Sequence, residues 1–273
     1  MLVADSQVHI WGPDTPERPW PSGAVNARHR FLTAETLVRE MDAAGVDRAV
    51  LVPPVFEGDR NDVVLDAARR FPDRFGVVGR LPLDRPESRD QVATWRDTPG
   101  MLGIRQSFSL PQHKALLKSG ATDWFWPAAE AAQVPLYLFC PGLLDTMGEV
   151  ARAHPKLRVM ICHFALAPDA GLAELRAATE QLLTLAHHPN VAVMASALPC
   201  HAQEPFPFPS LREPVRKVVS AFGATRVFWG SDLTRLPCSY REAVAFGCQL
   251  DFLSSAELEQ VMGAGLRSWL RWS

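Results

Sequence analysis

The 273-residue sequence contains no apolar run near the ~20 residues needed to span a bilayer, which argues against a membrane helix. It shows no secretory signal at its start, because Asp5, Gln7 and His9 interrupt the first apolar stretch. Cysteine is scarce. The five present (Cys140, Cys162, Cys200, Cys238 and Cys248) form no C-x-x-C pair. An odd, scattered set predicts packed thiols in a reducing cytoplasm rather than a disulfide framework. Net charge is also small: 28 Lys and Arg against 30 Asp and Glu leave −2. This excludes a general electrostatic pull towards nucleic acid. No glycine-rich loop follows the first apolar run, as a dinucleotide-binding sheet would require. Ser231 has no G-x-S-x-G surroundings, so a serine nucleophile is not expected. There is no internal repeat, no low-complexity tract and no composition shift that would mark a boundary, so residues 1–273 read as one domain.

What the chain does contain is a regular alternation. Hydrophobic residues make up 47% and charged residues 21%, enough for a large core. Short Val/Ile/Leu-rich runs at 2–9, 48–53, 75–80, 101–105, 135–140, 157–162, 191–195 and 226–230 read as strands. Several are apolar throughout, which suits parallel strands buried on both faces. Between them lie helical patterns at 33–44, 60–70, 86–96, 122–132, 143–154, 170–187, 210–222 and 239–249. Thr33 is placed to cap the first and Gly45 to close it. A last helix begins at Ser254 with the capping box Ser254-Ser255-Ala256-Glu257, and directs Leu258, Val261, Met262, Leu266 and Leu270 inward. Many of the 23 prolines fall where strands end. Eight strands, each followed by a helix, over about 250 residues predict an α/β fold, a single (β/α)8 TIM barrel with a C-terminal helix. A doubly wound open sheet is the alternative. Two strand-to-helix loops are long, 11–32 and 196–209.

In such a barrel the chemistry sits at the C-terminal ends of the strands. Those ends carry Gln7 and His9 (strand one), Arg105 (four), Phe139-Cys140 (five), His163 (six), Ser196 (seven) and Asp232 (eight), with Arg235 just beyond. Residues 7 and 9 share a face because strand side chains alternate. Two imidazoles, a carboxylate and a guanidinium suit hydrolysis: base, polariser and anion anchor. Each also has a plain alternative. Asp232 can cap the next helix, Arg105 can pair with an acid, and either histidine can be a structural hydrogen-bonding residue. His154 and His187-His188 read as solvated helix ends, and His201 lies in the loop after strand seven. Trp11 and Trp20 flank the first long loop, and Trp11 is a candidate substrate contact.

Asp5-Ser6-Gln7-Val8-His9-Ile10-Trp11, Ile161-Cys162-His163-Phe164, Phe228-Trp229-Gly230-Ser231-Asp232 and the closing segment 262–270 together resemble the amidohydrolase-related family. The resemblance spans nearly the whole chain. It implies a (β/α)8 barrel, with His9 as the second histidine of a His-x-His pair, His163 as a later-strand histidine and Asp232 as the water-activating aspartate. Arg105 matches an arginine that holds a substrate carboxylate. The family includes metal-independent lactonases and metal-dependent decarboxylases.

Three departures stand out. Gln7 replaces the first histidine of the pair, strand five lacks the Lys or Glu that often bridges metals, and strand seven offers Ser196 rather than a histidine. The expectation is therefore a metal-independent hydrolase of a lactone or similar cyclic ester of a small carboxylated or oxygen-rich substrate. Asp232, His163 and His9 would be catalytic; Gln7, Arg105, Arg235, Ser196 and Trp11 would bind substrate. Gln7 would donate its amide N–H, and both imidazoles would polarise the carbonyl. The alternatives are one divalent metal such as zinc at His9, His163 and Asp232, in a metal-dependent lyase, or a barrel recruited to cyclisation, isomerisation or ligand binding. The expected partner is a small-molecule substrate, without nucleic acid or membrane, and a homo-oligomer stays open.

Overall fold

The computed structural model describes residues 1–20 and 32–273. Part of the long loop expected at 11–32 thus lies outside the described residues. Eight parallel strands pair in sequence order: β1 (Ala4–Val8), β2 (Arg48–Leu51), β3 (Phe75–Arg80), β4 (Met101–Ser107), β5 (Leu136–Phe139), β6 (Val159–Ile161), β7 (Val191–Ser196) and β8 (Val227–Gly230). The sheet curls until β8 returns beside β1. There the Asp232 amide donates to the Gln7 carbonyl at 3.1 Å, and the Ser231 amide donates to Asp5 Oδ1 at 2.9 Å. The architecture is the predicted (β/α)8 barrel.

Helices α1 (Ala34–Ala44), α2 (Asp62–Arg70), α3 (Ser88–Ala93), α4 (Pro111–Lys118), α5 (Phe125–Ala131), α6 (Leu144–Ala153), α7 (Leu172–Leu183), α8 (Pro209–Phe222) and α9 (Tyr240–Cys248) surround it. Thr33 caps α1, accepting from the Thr36 amide, and Gly45 closes it with φ 79°. No helix among the described residues is long and apolar enough to cross a membrane.

Three differences from the expected elements have physical causes. Helix α4 carries no fully buried residue, so it lacks the apolar stripe that announces a helix in sequence. It lies in the β4 loop on the mouth side. The sixth strand is shorter than 157–162, because Cys162 and His163 already belong to a turn. The last helix is broken into α10 (Ser255–Glu259) and α11 (Gly265–Leu270) by a wide turn at Gln260–Ala264. At that turn the chain presses against the start of β1: a Cβ on Gly263 would stand 2.7 Å from the Leu2 carbonyl oxygen. The break aims Leu266 and Leu270 at the barrel floor. There they join Tyr137, Met160, Met194 and Phe228 in one buried cluster. Burial of such side chains is worth about 1.5–3 kcal/mol each, so α11 is a structural plug.

Candidate active site

The late strands leave the barrel through backbone that favours glycine, yet none of the residues there is glycine. After β6, His163, Phe164 and Ala165 have φ of 53°, 54° and 57°. After β7, Ala197 has φ 58°, and after β8, Asp232 has φ 51°. Such conformations cost of order 1 kcal/mol or more each, and the surrounding packing must hold them. They turn His163 and Asp232 sharply over the barrel mouth. Gly230 allows the seam to close: a Cβ there would lie 2.3 Å from Ser6 Oγ and 3.0 Å from Ser196 Cβ.

Gln7, fully buried on β1, is the hub. Its Nε2 lies 3.1 Å from His163 Nε2 and 3.3 Å from His9 Nε2. Its Oε1 accepts from Arg105 at 3.3 Å. His9 Nδ1 donates to the Val52 carbonyl at 2.7 Å, and His163 Nδ1 meets Ser196 Oγ at 2.7 Å. Asp232 stands opposite. Its Oδ1 is 3.3 Å from His9 Nε2, and its Oδ2 is 4.0 Å from His163 Nε2 and 3.4 Å from an Arg235 guanidinium nitrogen. Asp232 Oδ1 is buried and accepts no hydrogen bond among the described residues. Phe139, at the end of β5, packs edge-on against the His163 ring, with centroids 5.5 Å apart, and lies beneath the Arg105 guanidinium. An aromatic ring thus fills the place where a bridging Lys or Glu was sought.

The electrostatics separate these groups. Burial pushes the His9 imidazole down, with Asp232 only partly opposing. The same burial, helped by Arg105 and Arg235, takes His163 down to about 3. Both rings are therefore neutral near pH 7. Burial alone would raise the Asp232 carboxyl, but the surrounding groups outweigh it and hold it below the ordinary aspartate range. His9 and His163, and after them Arg235 and Arg105, are the groups that lower it.

The mouth therefore gathers Gln7, His9, Arg105, His163, Ser196, Asp232 and Arg235, all of them expected from the sequence. Asp232 makes no side-chain cap to the turn that follows it. Trp11 is buried against Phe56, with ring centroids 5.5 Å apart, and Trp20 touches the same ring at 6.1 Å. Both tryptophans thus brace the loop after β2. His201 is buried too, its Nδ1 donating to the Ala170 carbonyl at 2.7 Å.

Two residues escaped the sequence reading. Arg80, the last residue of β3, pairs in register with Arg105 and donates its Nε to the Pro53 carbonyl at 2.8 Å. Burial and the neighbouring Arg105 lower it to about 9. Its place at a strand end was a sufficient signal. Asp5, two residues before Gln7, is wholly buried and binds the Gln7 amide, the Ser231 amide and hydroxyl, and the Tyr240 hydroxyl. Its carboxyl, interrupting the first apolar stretch, was a signal, but nothing local to the sequence named its partners.

The sequence profile of the amidohydrolase family matches residues 4–264. The chain belongs to the amidohydrolase family. It is accordingly a hydrolase. It is 30% identical over 240 residues to the L-fucono-1,5-lactonase of Burkholderia ambifaria, a match covering 84% of this chain and 79% of that protein. Two solved structures share the fold. An amidohydrolase from Burkholderia multivorans with bound zinc superposes with a TM-score of 0.82 at 20% identity, covering 99% of both chains. A probable 2-pyrone-4,6-dicarboxylic acid hydrolase from Acinetobacter baumannii, with citric acid bound, gives 0.80 at 18% identity and covers 100% of both.

The zinc in one fold relative raises the question of whether these side chains suit a cation. Spacing alone is favourable, since the 3.3 and 4.0 Å separations between histidine nitrogens and Asp232 oxygens resemble those between ligands of one ion. The chemistry is not. Both Nε2 atoms face the Gln7 amide nitrogen, the Gln7 oxygen faces Arg105, and Asp232 Oδ2 faces Arg235. Among the described residues no three His, Cys, Asp or Glu side chains are arranged to hold an ion. The donor set does not fit a tightly held divalent metal.

Proposed function

We propose that the protein opens a lactone or similar cyclic ester of a small carboxylated or oxygen-rich substrate, using water activated by Asp232 and no metal. The observation that carries this reading is Asp232 Oδ1: a carboxylate oxygen kept ionised, buried at the mouth and free of hydrogen bonds from the described residues. Such an oxygen is suited to take a proton from water as the water attacks a carbonyl. The negative charge that develops on the carbonyl oxygen is answered by Arg105, with Arg80 beside it on β3. The same guanidiniums can hold a substrate carboxylate bidentately. His9 has its Nδ1–H committed to Val52, so its Nε2 accepts. The proton that Asp232 takes from the water is returned to the departing ring oxygen.

The named relatives support this substrate class. One carries the name of a sugar-acid lactonase and the other that of a dicarboxylated pyrone hydrolase. The test is acid release from a panel of sugar-acid lactones and pyrone carboxylates, measured before and after treatment with a strong chelator, with metal content determined in parallel. At least one lactone should be cleaved at a rate that chelation leaves unchanged. Zinc at one per chain, with activity lost on its removal and regained on its return, overturns the metal-free part. Failure on every lactone, with turnover of an unsaturated acid by decarboxylation, overturns the reaction class.

A further inference from the structure

The misfit between this site and a bound cation traces to one side chain whose orientation its neighbours fix. The Val52 carbonyl only accepts, so the proton of neutral His9 is on Nδ1 and the lone pair on Nε2. The Arg105 guanidinium only donates, so the Gln7 atom facing it is the oxygen, and the NH2 turns towards the histidines. That NH2 has two hydrogens and two nitrogen neighbours, His163 Nε2 at 3.1 Å and His9 Nε2 at 3.3 Å. With His163 Nε2 accepting, its Nδ1–H donates to Ser196 Oγ at 2.7 Å. Both hydrogens of the Gln7 NH2 and both ring N–H groups then meet an acceptor. The two lone pairs engaged are the ones an ion between these residues would need.

We propose that the Gln7 carboxamide stands in for the divalent cation: its NH2 bridges both imidazole Nε2 atoms, which excludes a metal and holds both rings in the Nδ1–H form. The inference rests on the metal-free reading above and goes beyond it by assigning that property to a single residue. It follows that Gln7→His, with His9, His163 and Asp232 already spaced as ligands, converts the barrel into a zinc site.

Two measurements on the full chain test this. The first is ring-nitrogen NMR of wild-type protein labelled with ¹⁵N-histidine, near neutral pH and with no metal added. His9 and His163, assigned by single substitution, should both carry the proton on Nδ1. A proton on Nε2 of either ring overturns the bridge, and this readout is made on the wild-type protein. The second is zinc uptake by wild type and Gln7→His, equilibrated with zinc sulfate against a competing chelator. Loss of an outer-shell partner already weakens metal binding about 10–100-fold, so gain of a direct ligand should tighten it at least about 100-fold, to one zinc per chain. If wild type binds zinc as tightly as the variant, this inference and the metal-free reading fall together. If a folded Gln7→His gains no zinc while wild type cleaves a lactone without metal, only this inference falls.

Discussion

The chain buries two aspartates at the β1–β8 seam and gives them opposite surroundings. Asp5 lies below the mouth and meets two backbone amides and two hydroxyls. Those hydrogen bonds favour its charged form, but burial without a cation outweighs them and raises its carboxyl to about 6. Asp232 lies at the mouth with one oxygen that accepts no hydrogen bond among the described residues, and nearby groups hold its carboxyl low. Neutral donors alone leave the Asp5 carboxyl raised; the imidazoles and guanidiniums around Asp232 hold its carboxyl low. Asp5 ties β8 to β1 and so sets the height of both Gln7 and Asp232. Asp232 then uses the position it is given.

The sharpest way to break this contrast is Asp232→Asn. The side chain keeps its shape and loses its basicity. Hydrolysis should fall by about 10²–10⁴-fold in kcat, the range for loss of a general base, while thermal stability changes little. Steady-state kinetics and a melting curve on the same sample check both halves. Near-normal turnover removes Asp232 as the base.

The complementary change is Asp5→Ala. It strips four donors of their acceptor in a buried seam, at about 1–3 kcal/mol for each group left unpaired. Partial relaxation brings the expected loss to about 3–5 kcal/mol, measured by urea unfolding. A loss below about 1 kcal/mol would show that the seam is held by packing alone.

How much of this was legible beforehand depended on what each residue announces locally. The eight strands were visible because apolar runs and their spacing are local properties. His9, His163 and Asp232 were visible because they end those strands. The role of Asp5 was not, because its partners Ser231 and Tyr240 lie more than 220 residues away in sequence. Helix α4 was hidden for lack of a buried stripe, and the left-handed turns at His163, Ala197 and Asp232 were hidden because no glycine marks them. Gln7 stood out in the sequence as a departure from the histidine pair and as an amide donor to substrate. Only the positions of Arg105 and the two imidazoles reveal it as the centre of a network.

A finer contrast is the response to pH. The folded Asp5 carboxyl holds its proton to about 6, against 3.8 for the free side chain. The stabilisation tied to that proton is complete below pH ~4 and is lost as pH rises through about 6. Two pH units correspond to about 3 kcal/mol. His9 and His163 act in the opposite sense: burial lowers both from 6.5, so their contribution is present above that value and is lost as pH falls. Asp5→Asn removes only the first effect. Stability of the variant relative to wild type should therefore climb by about 3 kcal/mol between pH 4 and 7 in urea titrations. A constant difference across that range would mean that Asp5 titrates normally.

The smallest expected effect concerns Ser196, which touches neither aspartate. Its hydroxyl holds His163 Nδ1 at 2.7 Å, and through that ring it supports the Gln7 contact. Ser196→Ala leaves a buried ring N–H without an acceptor, a loss of about 1.4 kcal/mol or a tenfold drop in kcat/KM. The effect acts by positioning rather than by contact with substrate, so the conservative change should rescue it. Ser196→Thr keeps the hydroxyl and should recover most of the activity. If threonine performs no better than alanine, space at the β7 end is what matters, and His163 is held by Gln7 and the edge of Phe139 alone.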